Sequence, residues 1–390
     1  MALAPRMRFG VFMAPFHWLG DNPTLSLERD FEILEWLDDL GYDEAWIGEH
    51  HSAGWETIAS PEIFIGIAAQ RTKHIMLGTG VVSLPYHHPL MVANRMILLD
   101  HLTRGRVMLG VGPGALVGDA YMLGIDPPTQ RRRMEESLGI ILRLMTETEP
   151  ITYEAEWFTL KEARAHLRPY TQPHMPIAVA ASQSPAGMIS AGKYGASVLT
   201  LNSIRAPGAA PNLAEFWKIA EETAEEHGQT MNRNDWGIVL HVHLAESRKE
   251  AIAQAREKSA EYQRGYFENT LGVPSPYDGP KDGIIDFMIE SNSWCVGTPD
   301  DLVAAINRLG EESGGFGRVL IQAVEWGTRE QVLHSYELVA RYVMPQFQGS
   351  LTSLQDSQAW YSESKDELIA MTAKAIERAK ADYEAGKSSS

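Results

Sequence analysis

The chain has 390 residues, 44% hydrophobic and 22% charged, an ordinary composition for a soluble globular protein. Its 51 acidic against 34 basic residues give a formal net charge of -17, which argues against nucleic acid or an anionic membrane surface as the main partner. A single cysteine, Cys295 in the apolar "SWCVG", excludes an intrachain disulfide framework, suits a reducing cytosol and reads as small core filler.

The opening "MALAPRMRFG" carries no charged region followed by a long apolar stretch, and no apolar run approaches the ~20 residues that span a bilayer. The expectation is a cytoplasmic protein with no membrane partner. "RFGVFMA" (8–14) predicts a strand and "LERDFEILEWLDDLG" (27–41) an amphipathic helix ending at Gly41. "DEAWIG" (43–48) is a second strand. "SPEIFIGIAAQRT" (60–72) is a helix with Ser60 as N-cap and Pro61 at its first position. The unit then recurs: strand 75–82 with helix 89–103, strand 106–112 with helix 131–145, and strand 175–181 with helix 184–195. Strand 196–201 precedes a helix within 211–228, strand 236–244 a helix at 247–264, and strand 317–323 a helix at 329–344.

Eight nearly continuous apolar strands alternating with eight helices imply a parallel sheet covered on both faces. The fold class is α/β. A closed (β/α)8 TIM barrel with insertions fits the count better than an open doubly wound sheet. Residues 1–349 are assigned to the barrel, with excursions near 150–172 and 265–293 and an extra helix near 299–310. Residues 350–390 are expected to be a C-terminal helical extension, striped by Leu368, Met371, Ala375, Ile376, Ala379 and Tyr383.

A barrel carries its site at the C-terminal ends of its strands. "WIGEHHSAGW" (46–55) sets Glu49, His50 and His51 there, as an acid/base centre, a metal site or a polar rim. "YHHPL" adds His87 and His88, but neighbouring strand residues face opposite ways, which suits a metal poorly. "HVH" (241–243) has same-face spacing without an evident set to complete it, so no metal is assigned. "LGVGPGALVG" (109–118) formally matches a dinucleotide fingerprint. Pro113 occupies its turn, however, and "ALVGDAYMLGIDPP" reads as loop, so Gly112 and Gly114 are read as letting backbone pass close to a flat ligand. In "AASQSPAG" (180–187), Ala181, Ser182 and Ser184 precede a helix opened by Pro185, either a phosphate cradle or a simple N-cap by Ser184. "QRRRME" offers three arginines at another helix start. Phe16, Trp18, Trp55, Tyr121 and Met122 promise an apolar pocket or core.

"LGYDEAWIGEHH", "RTKHIMLGTGVVSLPYHHPL", "LLDHLTRGRVMLGVGPG", "PIAVAASQSP", "VGTPDDL" and "YVMPQF" occur in an order that resembles the bacterial luciferase-like flavin-dependent monooxygenases. Within them the chain is most similar to the limonene 1,2-monooxygenase-like branch, through "NPTLSLERD", "SLPYHHPLM", "GVGPGAL" and "SGGFG". That resemblance implies reduced FMN (FADH2 possible) at the strand ends, a separate NAD(P)H:flavin reductase, and O2. A C4a-hydroperoxide would then oxygenate a small apolar, terpene-like substrate. It makes His50 catalytic, with Glu49 and His51 orienting it or facing the barrel wall. It implies a non-prolyl cis peptide between Gly80 and Val81, where a bulge supports the flavin ring, and a phosphate site on Ser182 with its neighbours and on Arg131, among Arg131, Arg132 and Arg133. Pro113 stands where the luciferases proper have an arginine, which removes one phosphate partner. The insertion at 265–293 is a candidate lid, with "LGVPSPYDGPKDG" its mobile part, and a homo-oligomer is expected. An F420-dependent oxidoreductase of the same superfamily, a metal-dependent hydrolase and a non-catalytic flavin-binding homologue are the alternatives.

Overall fold

The eight apolar runs become β1 (Arg8–Met13), β2 (Glu44–Ile47), β3 (Met76–Thr79), β4 (Val107–Gly112), β5 (Ile177–Ala180), β6 (Ser197–Leu201), β7 (Trp236–Leu244) and β8 (Arg318–Gln322). They belong to a computed structural model that describes residues 3–14, 16–181, 184–201 and 212–388. Each strand pairs in parallel with the next, and β8 returns to β1 in the register Arg8↔Arg318 to Phe12↔Gln322. The sheet therefore closes into a (β/α)8 barrel.

Strand side chains alternate between barrel interior and helix layer. One indole dominates the interior. Trp46 is fully buried among Met108, Ala178, Leu199, Val239 and Leu320. Small residues around it are a steric requirement. A Cβ on Gly78 would sit 2.5 Å from Trp46 Cε3, and one on Gly80 2.7 Å from Trp46 Cβ. One on Gly110 would lie 3.1 Å from Trp46 Cζ3 and 2.0 Å from the Thr79 carbonyl oxygen. At the N-terminal end, Trp46 Nε1 donates to Glu44 Oε1 at 3.2 Å. The buried Arg318 guanidinium reaches Asp235 Oδ1 at 3.0 Å and Glu44 Oε2 at 3.8 Å, and lies 6.0 Å from the Trp46 ring. A charge so far from water persists only with such partners.

Several elements differ from expectation, each for a local reason. The first helix spans Pro23–Asp39, four residues earlier than its apolar stripe suggests, because Asn22 caps it through Thr24 N and Leu25 N. "ALVGDAYM" is not all loop: Val117–Met122 is a short helix that buries Asp119. The excursion near 150–172 contains an antiparallel hairpin, Ile151–Glu154 with Thr159–Ala163. "SWCVG" is a strand, Trp294–Gly297, added in parallel to the end of β7, and it buries the free Cys295, whose thiol burial pushes up to about 12. It leads through a capping box of Thr298 and Asp301 into the helix Pro299–Ser313. Helix Arg248–Glu261 runs on as a π-helix, Tyr262–Thr270. A second compact unit begins at Pro345 and consists chiefly of the helices Thr352–Glu363 and Lys365–Ser388. Among the described residues no helix is long and apolar enough to cross a membrane.

Trp46 and its glycines make a paired prediction. Gly78→Ala and Gly110→Ala are each expected to cost about 1–3 kcal/mol by overpacking, read by denaturant unfolding. Adding Trp46→Phe should recover part of the loss at Gly78, where the indole is the main obstacle, and much less at Gly110, where the Thr79 carbonyl is. Equal recovery at both positions would contradict the packing described.

Candidate active site

Above Trp46 several wall positions, Gly48, Gly80 and Ala180 among them, are too small to fill the barrel. Phe12, Gly48, Gly80, Ala180, Leu201, His241 and Gln322 line the inner part of a cavity of about 630 Å³ at the C-terminal strand ends. That volume suits a cofactor or small ligand. The peptide between Gly80 and Val81 is cis, and both residues line the cavity. Gly112 does not itself line it. A Cβ there would lie 2.6 Å from Val81 Cγ2, so its smallness lets Val81 seat against β4, while Gly114, at φ +91, forms part of the wall.

In the row Glu49-His50-His51 both Glu49 and His50 line the cavity, but Glu49 is taken up as a structural hub. Glu49 is buried; its Oε1 accepts from His51 Nε2 at 2.8 Å and His87 Nε2 at 2.7 Å, and its Oε2 from Ser83 N at 2.8 Å. Arg95 Nη2 donates to His87 Nδ1 at 3.3 Å, which leaves Nε2 as the His87 donor. Burial alone would raise the Glu49 carboxyl, but the bonds from His51, His87 and Ser83 outweigh it and hold it below the usual carboxylate range. The bond that His51 donates to Glu49 in turn holds the imidazole above its usual value. Glu49 thus ties the end of β2 to the loop after β3.

His50 lines the cavity and has a carboxylate at each ring nitrogen. Nδ1 lies 3.2 Å from Asp119 Oδ2, and Nε2 lies 3.1 Å from Glu56 Oε2. Asp119 also accepts from His51 N at 3.1 Å and from the Ser52 hydroxyl. Burial opposes the imidazolium, yet Glu56, Asp119 and Glu49 together raise His50 above its ordinary value. Burial likewise opposes the Asp119 anion, and the bonds from His50 and Ser52 prevail and lower it.

At the opposite side Arg131 Nε donates to Ser184 Oγ at 3.2 Å, and both line the cavity with Ala181. Ser184 occupies the N-cap of helix Pro185–Tyr194 without a side-chain cap bond, so that helix start keeps donors to spare. Of the neighbouring arginines, Arg132 pairs with Glu156 and Arg133 lies 5.4 Å over Trp157. Ser182 lies outside the described residues.

The remaining wall is aromatic. Tyr262, Tyr266 and Phe267 come from the π-helix, with Leu271 and Val273 beyond it. The segment expected to be a mobile lid is tied to that helix by Arg264, which donates to Ser275 Oγ at 2.8 Å, Tyr277 O at 2.9 Å and Gly279 O at 3.0 Å. Phe16 and Trp55 stack behind the wall with ring centroids 5.4 Å apart, and Trp18 meets Phe16 edge-on. Tyr121 and Met122 are exposed, 83% and 65%, and line nothing. His241 lines the cavity within 3.2 Å of Tyr262 Oη, whereas His243 bonds Gln254 Oε1 at 2.9 Å, so the His-x-His pair does not converge. Among the described residues no group of three or more His, Cys, Asp or Glu side chains is arranged to hold a metal ion.

A family model described as luciferase-like monooxygenase matches residues 7–315. The chain is 47% identical over 360 residues to 4-hydroxyprotoasukamycin monooxygenase of Streptomyces nodosus subsp. asukaensis, spanning 92% of this chain and 97% of that one. It is 46% identical over 347 residues to limonene 1,2-monooxygenase of Rhodococcus erythropolis, spanning 89% and 88%. Among solved structures it is similar to the oxygenating constituent of 3,6-diketocamphane monooxygenase of Pseudomonas putida, a type II Baeyer–Villiger monooxygenase in complex with FMN. The TM-score is 0.73 at 26% identity, over 87% of this chain and 98% of that one.

The charges around His50 set a pH window. His50 is raised, so its contribution to stability is complete below the ordinary imidazole value of ~6.5 and is lost as pH rises through the raised value. Asp119 is lowered, so its contribution is present above the ordinary carboxylate range and is lost as pH falls through the lowered value. The melting-temperature difference between wild type and His50→Gln should peak in between and shrink toward alkaline pH. A difference that grows there would contradict the assignment.

Proposed function

The chain belongs to the luciferase-like monooxygenase family and is a monooxygenase; we propose that it is the oxygenase of a two-component system, using reduced FMN and O2 to oxygenate a small apolar, terpene-like substrate. One observation carries this reading: His50, the cis Gly80–Val81 peptide and the Arg131–Ser184 pair share one cavity at the strand ends. A separate NAD(P)H:flavin reductase follows from the similarity to a protein described as an oxygenating constituent and bound to FMN. Relatives named for limonene and 3,6-diketocamphane, together with the largely apolar lining, support the substrate class.

The residues present fit a flavin mononucleotide. A Cβ would meet Trp46 Cβ at 2.7 Å on Gly80 and Tyr86 Oη at 2.2 Å on Gly114, so bare backbone forms the cavity wall at both places and a flat ring can lie close to it. Arg131, Ser184 and the unspent donors of helix Pro185–Tyr194 form an anion cradle at the rim, where a phosphate would be held. When bound, reduced flavin supplies what no side chain can, the transfer of electrons to dioxygen and of one oxygen atom to the substrate. The chain supplies the surroundings. Val81, Leu201 and Val239 give an apolar bed, and Tyr266, Phe267 and Leu271 keep water from the inner cavity. His50 holds a proton at the cavity wall, where an imidazole serves as acid, base or donor. Ile63 and Ile67 on helix Pro61–Arg71, with Met91, Leu98 and Leu102 on helix Pro89–Thr103, are exposed apolar side chains that support a homo-oligomer.

His50→Gln supplied with chemically reduced FMN, oxygen and a terpene panel is expected to lose product formation by at least about a hundredfold. Unchanged turnover would remove His50 from the chemistry. Arg131→Ala is expected to weaken FMN by about tenfold or more and to leave riboflavin, which lacks the phosphate, unaffected. Equal weakening of both flavins would place the phosphate elsewhere.

A further inference from the structure

The functional reading uses His50 but gives no work to the second carboxylate on its ring. Glu56 lies six residues on, buried at 7% exposure, and lines the same cavity. Its backbone is pinned by a bridge to Phe16, and its Oε2 accepts from Tyr266 Oη at 2.7 Å while standing 3.1 Å from His50 Nε2. Tyr266 comes from the π-helix, 210 residues away in sequence, so two distant parts of the barrel meet on this one oxygen.

We propose that Glu56 is the proton-holding partner of His50, a positioning residue that, with Tyr266, exchanges a proton with the imidazole while Asp119 stays an anion and fixes the ring. The step is balanced within the pair. The N–H bond at His50 Nε2 breaks, an O–H bond forms at Glu56 Oε2, and an imidazolium with a carboxylate becomes a neutral imidazole with a carboxylic acid.

The asymmetry of the two carboxylates assigns the roles. Asp119 accepts from His51 N and the Ser52 hydroxyl besides His50, on a side chain 1% exposed. Protonating it would waste those donors. Glu56 takes a hydrogen bond from Tyr266 and stands in an ion pair with His50, and it faces the cavity, where a proton can be delivered or received. A neutral ring without this exchange would turn a bare nitrogen lone pair toward a carboxylate across 3.1 Å, which is repulsive. The charged and titratable groups facing His50 are Glu49 and His51 from its own segment, Asp119 from helix Val117–Met122, and Glu56. Tyr266 reaches it through Glu56, and Tyr86 stands beyond His51 with ring centroids 6.0 Å apart.

The inference rests on the flavin reading for its use in turnover, but its test does not need flavin. In the full chain with isotope-labelled histidine, the His50 titration is followed by NMR and identified by its absence in His50→Gln. Glu56→Gln is expected to lower its midpoint by about 1–3 pH units, with Glu56→Asp restoring part of the shift. In turnover, Glu56→Gln should reduce kcat and move the alkaline limb of the pH profile down, leaving the substrate KM unchanged. If Glu56→Gln does not fold, Tyr266→Phe decides: without the Tyr266 donor the charge on Glu56 Oε2 is left to His50 alone, so the His50 midpoint should rise. A folded Glu56→Gln with an unmoved midpoint, or a Tyr266→Phe midpoint that stays or falls, overturns the proposal. A midpoint that moves as expected in a protein that binds no reduced flavin would instead sink the functional reading and leave the pair standing.

Discussion

The depth of the site is set by one side chain. Trp46 fills the barrel to the level of Gly78, Gly80 and Gly110, whose missing Cβ atoms are the room it occupies. It is held from below by Glu44, which shares the buried Arg318 with Asp235. Above it Gly48, Gly80 and Ala180 stand among larger residues such as Phe12 and His241 and leave part of the interior open. A barrel interior is normally a packed core. Here it packs only as far as the indole, and the unfilled remainder is the cavity.

On that floor the polar groups have separate tasks. Glu49 spends both carboxylate oxygens on His51, His87 and Ser83, holding the loops after β2 and β3 together without bonding the His50 ring. His50 is held by two other carboxylates that reach it from a turn and a short helix. Low polarity magnifies every one of these interactions, and each buried charge has a partner. The rim opposite has the other sign, with Arg131 and a helix start facing the opening. An acidic cluster around an imidazole on one wall and an anion cradle on the other suit a molecule with a reactive ring and a phosphate tail.

Much of this was legible in the sequence because barrel strands are buried on both faces and read as continuous apolar runs. All eight were found that way, and their C-terminal ends led to His50, Gly80, Val81 and Ser184. What was hidden depended on contacts between remote residues. Asp119 sits in "VGDAYM", six residues beside glycine-rich loop, and only its meeting with His50 gives it meaning. Glu56 is close in sequence, yet its role depends on Tyr266 far along the chain. The strand Trp294–Gly297 went unread because four residues carry too little periodicity to announce a strand, although Cys295 within it is buried as its apolar neighbours suggest. Ser184 left two readings open, and its side chain makes no cap bond to the helix it precedes.

The central claim is that the hollow above Trp46 is a flavin site with His50 in its wall. A crystal structure of the protein grown with FMN tests it most directly. The account predicts ring density inside the hollow, bordered by Val81 and His50, with the phosphate on Arg131 and Ser184. Flavin bound elsewhere, or a hollow still filled by water at saturating FMN, would contradict it.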